Sequence, residues 1–151
     1  MKIKALLGVA ALALSLSATA LYAQATGTAA EAKAMLEKAV AALKANKADA
    51  IKAFNTSPGP FRDRDLYVFC YNTSDGKFTA HPNAALMGTD IRALKDKAGD
   101  PLGEKIFKTA KAGSVDTVDY VFPKPTGGDP VPKQSFITVV GDQGCGVGYY
   151  K

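Results

Sequence analysis

The hydrophobic pattern of this chain first changes period between Asn55 and Leu66, and that change most restricts what it can fold into. Before it, Leu36, Val40, Leu43, Ile51 and Phe54 recur at the spacing of one helix face, with lysines and glutamates on the other faces. Thr28-Ala-Ala-Glu31 ahead of them fits a capping box. The pattern predicts one long amphipathic helix over residues 29–54, or two with a joint near Asn46. Asn55-Thr-Ser-Pro-Gly-Pro60 stops it, because proline and glycine cannot continue the pattern. After the change, Leu66-Tyr-Val-Phe-Cys-Tyr71 is β-branched and aromatic without a polar face, as in a central strand.

The remaining elements follow from the same rules. Asn72-Thr-Ser-Asp75-Gly76 is turn chemistry, and Lys77 to His81 returns as a second strand, making a hairpin. Residues 82–113 are loop and helix, with Asp100 as expected N-cap and Pro101 at the first helical position. Leu102, Ile106, Phe107 and Ala110 form the apolar stripe of that helix and Gly113 its stop. Thr117–Phe122, Ser135–Val140 and Cys145–Tyr150 are three more strands, the first two separated by a Pro/Gly-rich connection over 123–132. The order predicts a single α+β domain with an antiparallel sheet over residues 65–150.

Residues 1–25 have the form of a secretory signal peptide. Lys2 and Lys4 precede an apolar run from Leu6 to Leu16, and Ala20, Ala23 and Ala25 are possible cleavage points. The run is too short to span a bilayer as a mature helix, and an uncleaved anchor is the alternative. The chain is therefore expected to be exported, periplasmic or secreted. Removing residues 1–25 from 151 leaves 126 residues, 26–151, enough for one core, and takes away two lysines, so the net charge falls from +5 to +3. That mild excess, with no basic run and no basic-aromatic stripe, speaks against a nucleic-acid partner.

Composition narrows the chemistry further. His81 is the sole histidine, and Cys70 and Cys145 are the only cysteines. A Cys/His zinc site would need more ligands, and the C-x-x-C-H motif of a c-type haem is absent. No nucleophile–base pair stands out, so neither a catalytic residue, a metal nor a cofactor is expected. In an oxidising compartment two lone cysteines suggest one disulfide, with two buried thiols or a redox pair as the other readings.

Several pieces, in order, carry a resemblance. They are Gly59-Pro60-Phe61, Asp65-Leu-Tyr-Val-Phe69, Asp75-Gly76, Ala80-His81-Pro82-Asn83 and Met87-Gly88-Thr89-Asp90. Tyr120-Val-Phe-Pro123-Lys-Pro125, Pro132-Lys133-Gln-Ser135 and Gly146-Val-Gly148-Tyr-Tyr150 complete the series. From about Ala41 to Lys151 the chain resembles the single Cache domains, small extracellular sensor modules of chemoreceptors and sensor kinases. The resemblance implies a long N-terminal helix packed on a five-stranded antiparallel PAS/profilin-like sheet in the order 2-1-5-4-3. It implies a pocket between the sheet and the connecting helix-loop segment, for a small organic acid such as acetate, propionate, pyruvate or lactate. That order sets Cys70 and Cys145 on neighbouring strands, where a disulfide is geometrically possible. Because no membrane span or output module follows the last strand, a free-standing module is expected, a monomer or homodimer relaying its bound state to a membrane receptor or kinase.

Strand parity proposes the ligand-binding residues. Tyr67, Phe69 and Tyr71 share one face of the first strand, and Leu66, Val68 and Cys70 the other. The aromatic face is taken as the pocket side, since tyrosines bring both a ring wall and a hydroxyl. Arg62 and Arg64 lie just before that strand, and either arginine suits a bidentate grip on a carboxylate or stays a solvated loop residue. Lys133, just ahead of the fourth strand, is another cationic candidate. His81 either donates to a ligand or hydrogen-bonds the following loop, and Tyr120 either lines the far wall or fills core. The alternative to a sensor is a scaffold or accessory subunit without a small ligand.

Overall fold

The computed structural model describes residues 25–151. The proposed signal peptide therefore lies outside the described residues, apart from Ala25 at their edge. The helical stretch is two helices, α1 over Ala29–Ala45 and α2 over Lys47–Asn55. Asn46 makes the joint because it serves both. Its backbone amide still donates to the Ala42 carbonyl and closes α1, while its side chain accepts the Asp49 amide and caps α2. At the start of α1 the Thr28–Glu31 capping box forms in both directions.

Six strands follow: β1 (Arg62–Asp63), β2 (Leu66–Asn72), β3 (Phe78–Ala80), β4 (Asp116–Phe122), β5 (Val131–Val140) and β6 (Gln143–Tyr150). They form one antiparallel sheet ordered β1-β2-β6-β5-β4, with β3 also paired to β2. The five expected strands thus stand in the expected order, and the two-residue β1 is added at the edge. Helix α3 covers Leu102–Thr109, with short 3-10 turns at Ala84–Leu86 and Ile91–Ala93 before it.

Several details differ from the sequence reading. Helix α3 ends at Thr109 with Ala110 as its extended C-cap, so Ala110 lies past the helix and Gly113 is not its stop. Helix α3 begins one residue later than expected: Pro101 occupies the cap position, and no side chain caps the helix. Strand β5, the fourth of the five expected strands, begins at Val131, so Pro132 and Lys133 lie inside it rather than ahead of it. Proline is tolerated there because the one backbone group it offers, its carbonyl, accepts the Lys151 amide.

The sheet has a core on each face. Leu66, Val68, Cys70, Cys145 and Val147 pack under α1 and α2 against Leu36, Ala39, Leu43 and Phe54. Tyr67, Phe69, Tyr71, Val118 and Ile137 pack on the other face against Phe78, Ile91, Leu102 and Ile106. Cys70 and Cys145 are opposite one another in the β2–β6 register, with Cα atoms 4.1 Å apart, and are joined by a disulfide. A latch ties the start of α1 to the β1–β2 turn. Gly27 donates its amide to the Asp65 carboxylate at 2.6 Å, and the Arg64 guanidinium meets Glu31 and Asp63, each at 2.6 Å.

Strand β6 carries three glycines on one of its faces. Gly144, Gly146 and Gly148 alternate along it and leave a bare trough on the aromatic face. A Cβ would overlap the Tyr71 ring at Gly144, the Phe69 ring at Gly146, and the Lys133 stem and Ser135 hydroxyl at Gly148. The trough lets these side chains lie flat across the sheet. Gly146→Val is expected to destabilise by about 1–3 kcal/mol through overpacking. Urea unfolding measures this, and a loss below about 0.5 kcal/mol would mean that the aromatic layer can lift without cost.

Candidate ligand site

Between the aromatic face of the sheet and the loop-helix segment is a small cavity of about 20 Å³. Strand β2 supplies Tyr67 and Phe69, β3 supplies Phe78, and the residue just past it is His81. Ile91, Leu94, Leu102 and Ile106 close it from the loop side, Tyr120 and Phe122 from β4. The space barely exceeds what one water needs. A guest must be a few atoms across or must displace side chains.

Polar groups enter this apolar shell at one end. Lys133 is only 1% exposed. Its Nζ donates to Tyr67 Oη at 2.9 Å and lies 4.0 Å from the Tyr67 ring centre and 4.6 Å from that of Tyr150. These π faces replace some of the lost hydration. No carboxylate lies within ion-pair distance of Lys133 among the described residues. Burial therefore pulls its ammonium down to about 7, and the Asp65 charge offsets only part of that. Tyr67 Oη interacts in turn with Tyr150, whose hydroxyl donates to the Pro123 carbonyl at 2.7 Å. Burial pushes the Tyr67 phenol well above its ordinary value and that of Tyr150 up to about 12.

His81 is buried in a box of rings, 5.4 Å from those of Tyr67 and Phe78 and 6.3 Å from Phe122. Its Nδ1 accepts the Asn83 amide at 2.9 Å, which leaves Nε2 to carry the proton of the neutral ring. Burial and the nearby Lys133 charge lower it to about 4. Tyr120 shares a 2.6 Å hydrogen bond with Ser135.

Of the residues proposed from sequence, Tyr67, Phe69, His81 and Tyr120 line the cavity. Lys133 stands behind Tyr67 and reaches the cavity through that hydroxyl. Tyr71 shares the face but packs on Phe107, with its hydroxyl buried and without a hydrogen-bond partner. Arg62 borders a separate pocket. Sequence reasoning missed Phe122 and Tyr150, though both were legible as alternate positions on their strands. It also took Leu102 and Ile106 for packing stripe alone.

Both basic groups make stability depend on pH, His81 on the acid side and Lys133 above neutrality. The unfolded chain holds a proton on His81 below about 6.5 and on Lys133 below about 10.5, whereas the folded chain resists until about 4 and about 7. The unfolded state binds more protons in those two windows, so stability should rise with pH across each, by at most about 1.4 kcal/mol per pH unit per group. Urea midpoints from pH 4 to 10 check this. A midpoint flat between pH 7 and 10 would show Lys133 to be charged in the fold.

Comparison with known proteins agrees with this architecture. The family model described as single Cache domain 2 matches residues 3–148, and the chain belongs to that family. Such domains are extracytoplasmic, non-catalytic sensor modules. Among solved structures, the chain is similar to a methyl-accepting chemotaxis protein from Vibrio parahaemolyticus. The identity is 24% and the TM-score 0.66, covering 80% of this chain and 86% of that one. It is also similar to a periplasmic sensor domain of a chemotaxis protein, at 25% identity and TM-score 0.58, covering 80% and 88%. A third is a Cache chemosensory domain solved for its carboxylic acid recognition, at 22% identity and TM-score 0.58, covering 80% and 86%. No curated protein matches. Among the described residues no helix is long and apolar enough to cross a membrane, and no cluster of acidic, Cys and His side chains could hold a metal.

Proposed function

We propose that this chain is a sensor module for a small carboxylate, held in the cavity between the sheet and the loop-helix segment with Lys133 as its cation. One observation carries the reading. A lysine buried to 1% exposure has a phenol as its hydrogen-bond partner and no carboxylate in reach among the described residues. Burying an ammonium without a counter-charge is costly, and a ligand carboxylate supplies that counter-charge. Neutral His81 adds a donor, and the rings and aliphatic side chains take the carbon end. Acids of the acetate, propionate, pyruvate or lactate size would enter by displacing side chains of the cavity wall, Tyr67 among them, which brings the carboxylate within reach of Lys133. The solved Cache domain described as recognising carboxylic acids supports the same ligand class. The bound state would be read by a membrane receptor or kinase.

The size of the cavity favours a second reading, a scaffold or accessory subunit whose apolar interior takes no physiological ligand. Calorimetric titration with the four acids at pH 6 and pH 8 separates the two. On the sensor reading, binding at pH 8 draws close to one proton onto Lys133 and binding at pH 6 draws almost none. Two buffers of different ionisation enthalpy expose that difference. Absence of heat and of any thermal shift with all four acids at millimolar concentration would leave the scaffold reading.

A further inference from the structure

The pocket that Arg62 borders is separate from the inner cavity, and we infer that it is a second anion-binding site for a small oxyanion such as a carboxylate. It measures about 270 Å³ and is lined by Pro58, Arg62, Arg64, Tyr67, Pro82 and Pro125, among others. Its charge is uneven. Arg64 is committed to Glu31 and Asp63, each at 2.6 Å, and to the Thr26 carbonyl at 3.1 Å. Arg62 meets no carboxylate within ion-pair distance among the described residues, and its Nε is buried without a hydrogen-bond partner. A buried, unpartnered donor on a charged group asks for a water or an ion. An oxyanion fits best, since a guanidinium presents parallel donors to two oxygens. Three prolines in the wall fix their own backbone angles, so the pocket needs little ordering to receive a guest.

The position gives this site a reason to exist. Tyr67 is a wall of both this pocket and the inner cavity. The Arg62 charge is felt at His81, another wall of the inner cavity. An anion on Arg62 would thus sit beside the side chain that holds Lys133. The site does not depend on what fills the cavity behind Tyr67.

The test follows the Arg62 Nε–Hε resonance by NMR during titration with sodium acetate, disodium succinate and inorganic phosphate, at ionic strength held constant with chloride. A saturable shift of that resonance is expected with at least one of the three. Arg62→Gln should weaken the same binding, followed through the Tyr67 and Pro82 neighbourhood, by roughly 10- to 100-fold. Arg62→Lys should weaken it less, and Lys133→Met should leave it in place. Tighter response to acetate or succinate assigns an organic acid, and tighter response to phosphate a phosphorylated anion; either upholds the site. A shift that is linear, or equal when chloride alone is raised, would overturn it, as would full binding in Arg62→Gln. Because the resonance is read in the wild-type protein, failure of a variant to fold leaves the test intact. Loss of cavity binding in Lys133→Met with the Arg62 response unchanged separates this site from the proposed sensor site.

Discussion

Lys133→Met should make the ligand-free protein more stable and leave the inner cavity unable to hold a carboxylate. The methionine keeps much of the length and packs between the Tyr67 and Tyr150 rings and over Gly148, where the lysine stem now lies. It removes an amine that is 1% exposed and whose ammonium form the interior disfavours. Replacing an unpaired buried charge by an apolar group of similar shape is neutral to stabilising, by about 1–3 kcal/mol. The gain should shrink as the pH rises from 7 toward 10, because the wild-type fold recovers its own stability there. Carboxylate binding should fall by at least about a hundredfold, the value of a charge-assisted contact in a dry site. Chemical unfolding and calorimetry on the same preparations read both effects. A variant that is less stable and still binds would show Lys133 to be a structural group. Few substitutions separate sensing from folding this cleanly, because most buried residues serve both through packing.

The second large effect lies on the opposite face of the sheet. Loss of the Cys70–Cys145 disulfide, through the double substitution to alanine, should cost up to about 4 kcal/mol. The bond spans 75 residues, so its removal frees a long loop in the unfolded chain. For a domain of this size the midpoint should fall by roughly 10–20 °C. Both cysteines are fully buried under α1, so a reductant should act on the native protein only through its unfolding. Carboxylate affinity should stay within a few-fold, since the cavity lies on the far side of the sheet from the bond. A loss of binding as large as that of Lys133→Met would mean that β6 moves when the bond opens. That result would tie redox state to sensing.

These two residue sets were legible to different degrees in the chain. The alternation Leu66-Tyr-Val-Phe-Cys-Tyr71 puts aromatics on one face and aliphatics on the other whatever surrounds the strand, because side-chain direction in a strand is local geometry. The helical spacing from Leu36 to Phe54 and the break at Asn46 are local in the same sense. Which of the two faces meets α1 is not local, and only the fold puts Tyr67, Phe69 and Tyr71 on the side away from it. The order of strands came through resemblance to a family, since pairing partners far apart in sequence leave no local mark.

Nothing local tells Lys133 from Lys124, or Arg62 from Arg64. Each pair is close in sequence, similar in chemistry and set among prolines or acids. Lys133 loses its water because β4 and β6 flank it with Tyr120 and Tyr150, which the strand registers bring opposite it. Arg64 loses its freedom to Glu31, 33 residues earlier, while Arg62 keeps its Nε unpartnered. Period, parity and capping belong to the covalent chain and its nearest turns. Burial and counter-charge are sums over neighbours brought in by the whole fold, and they decide which cations are left to meet a ligand.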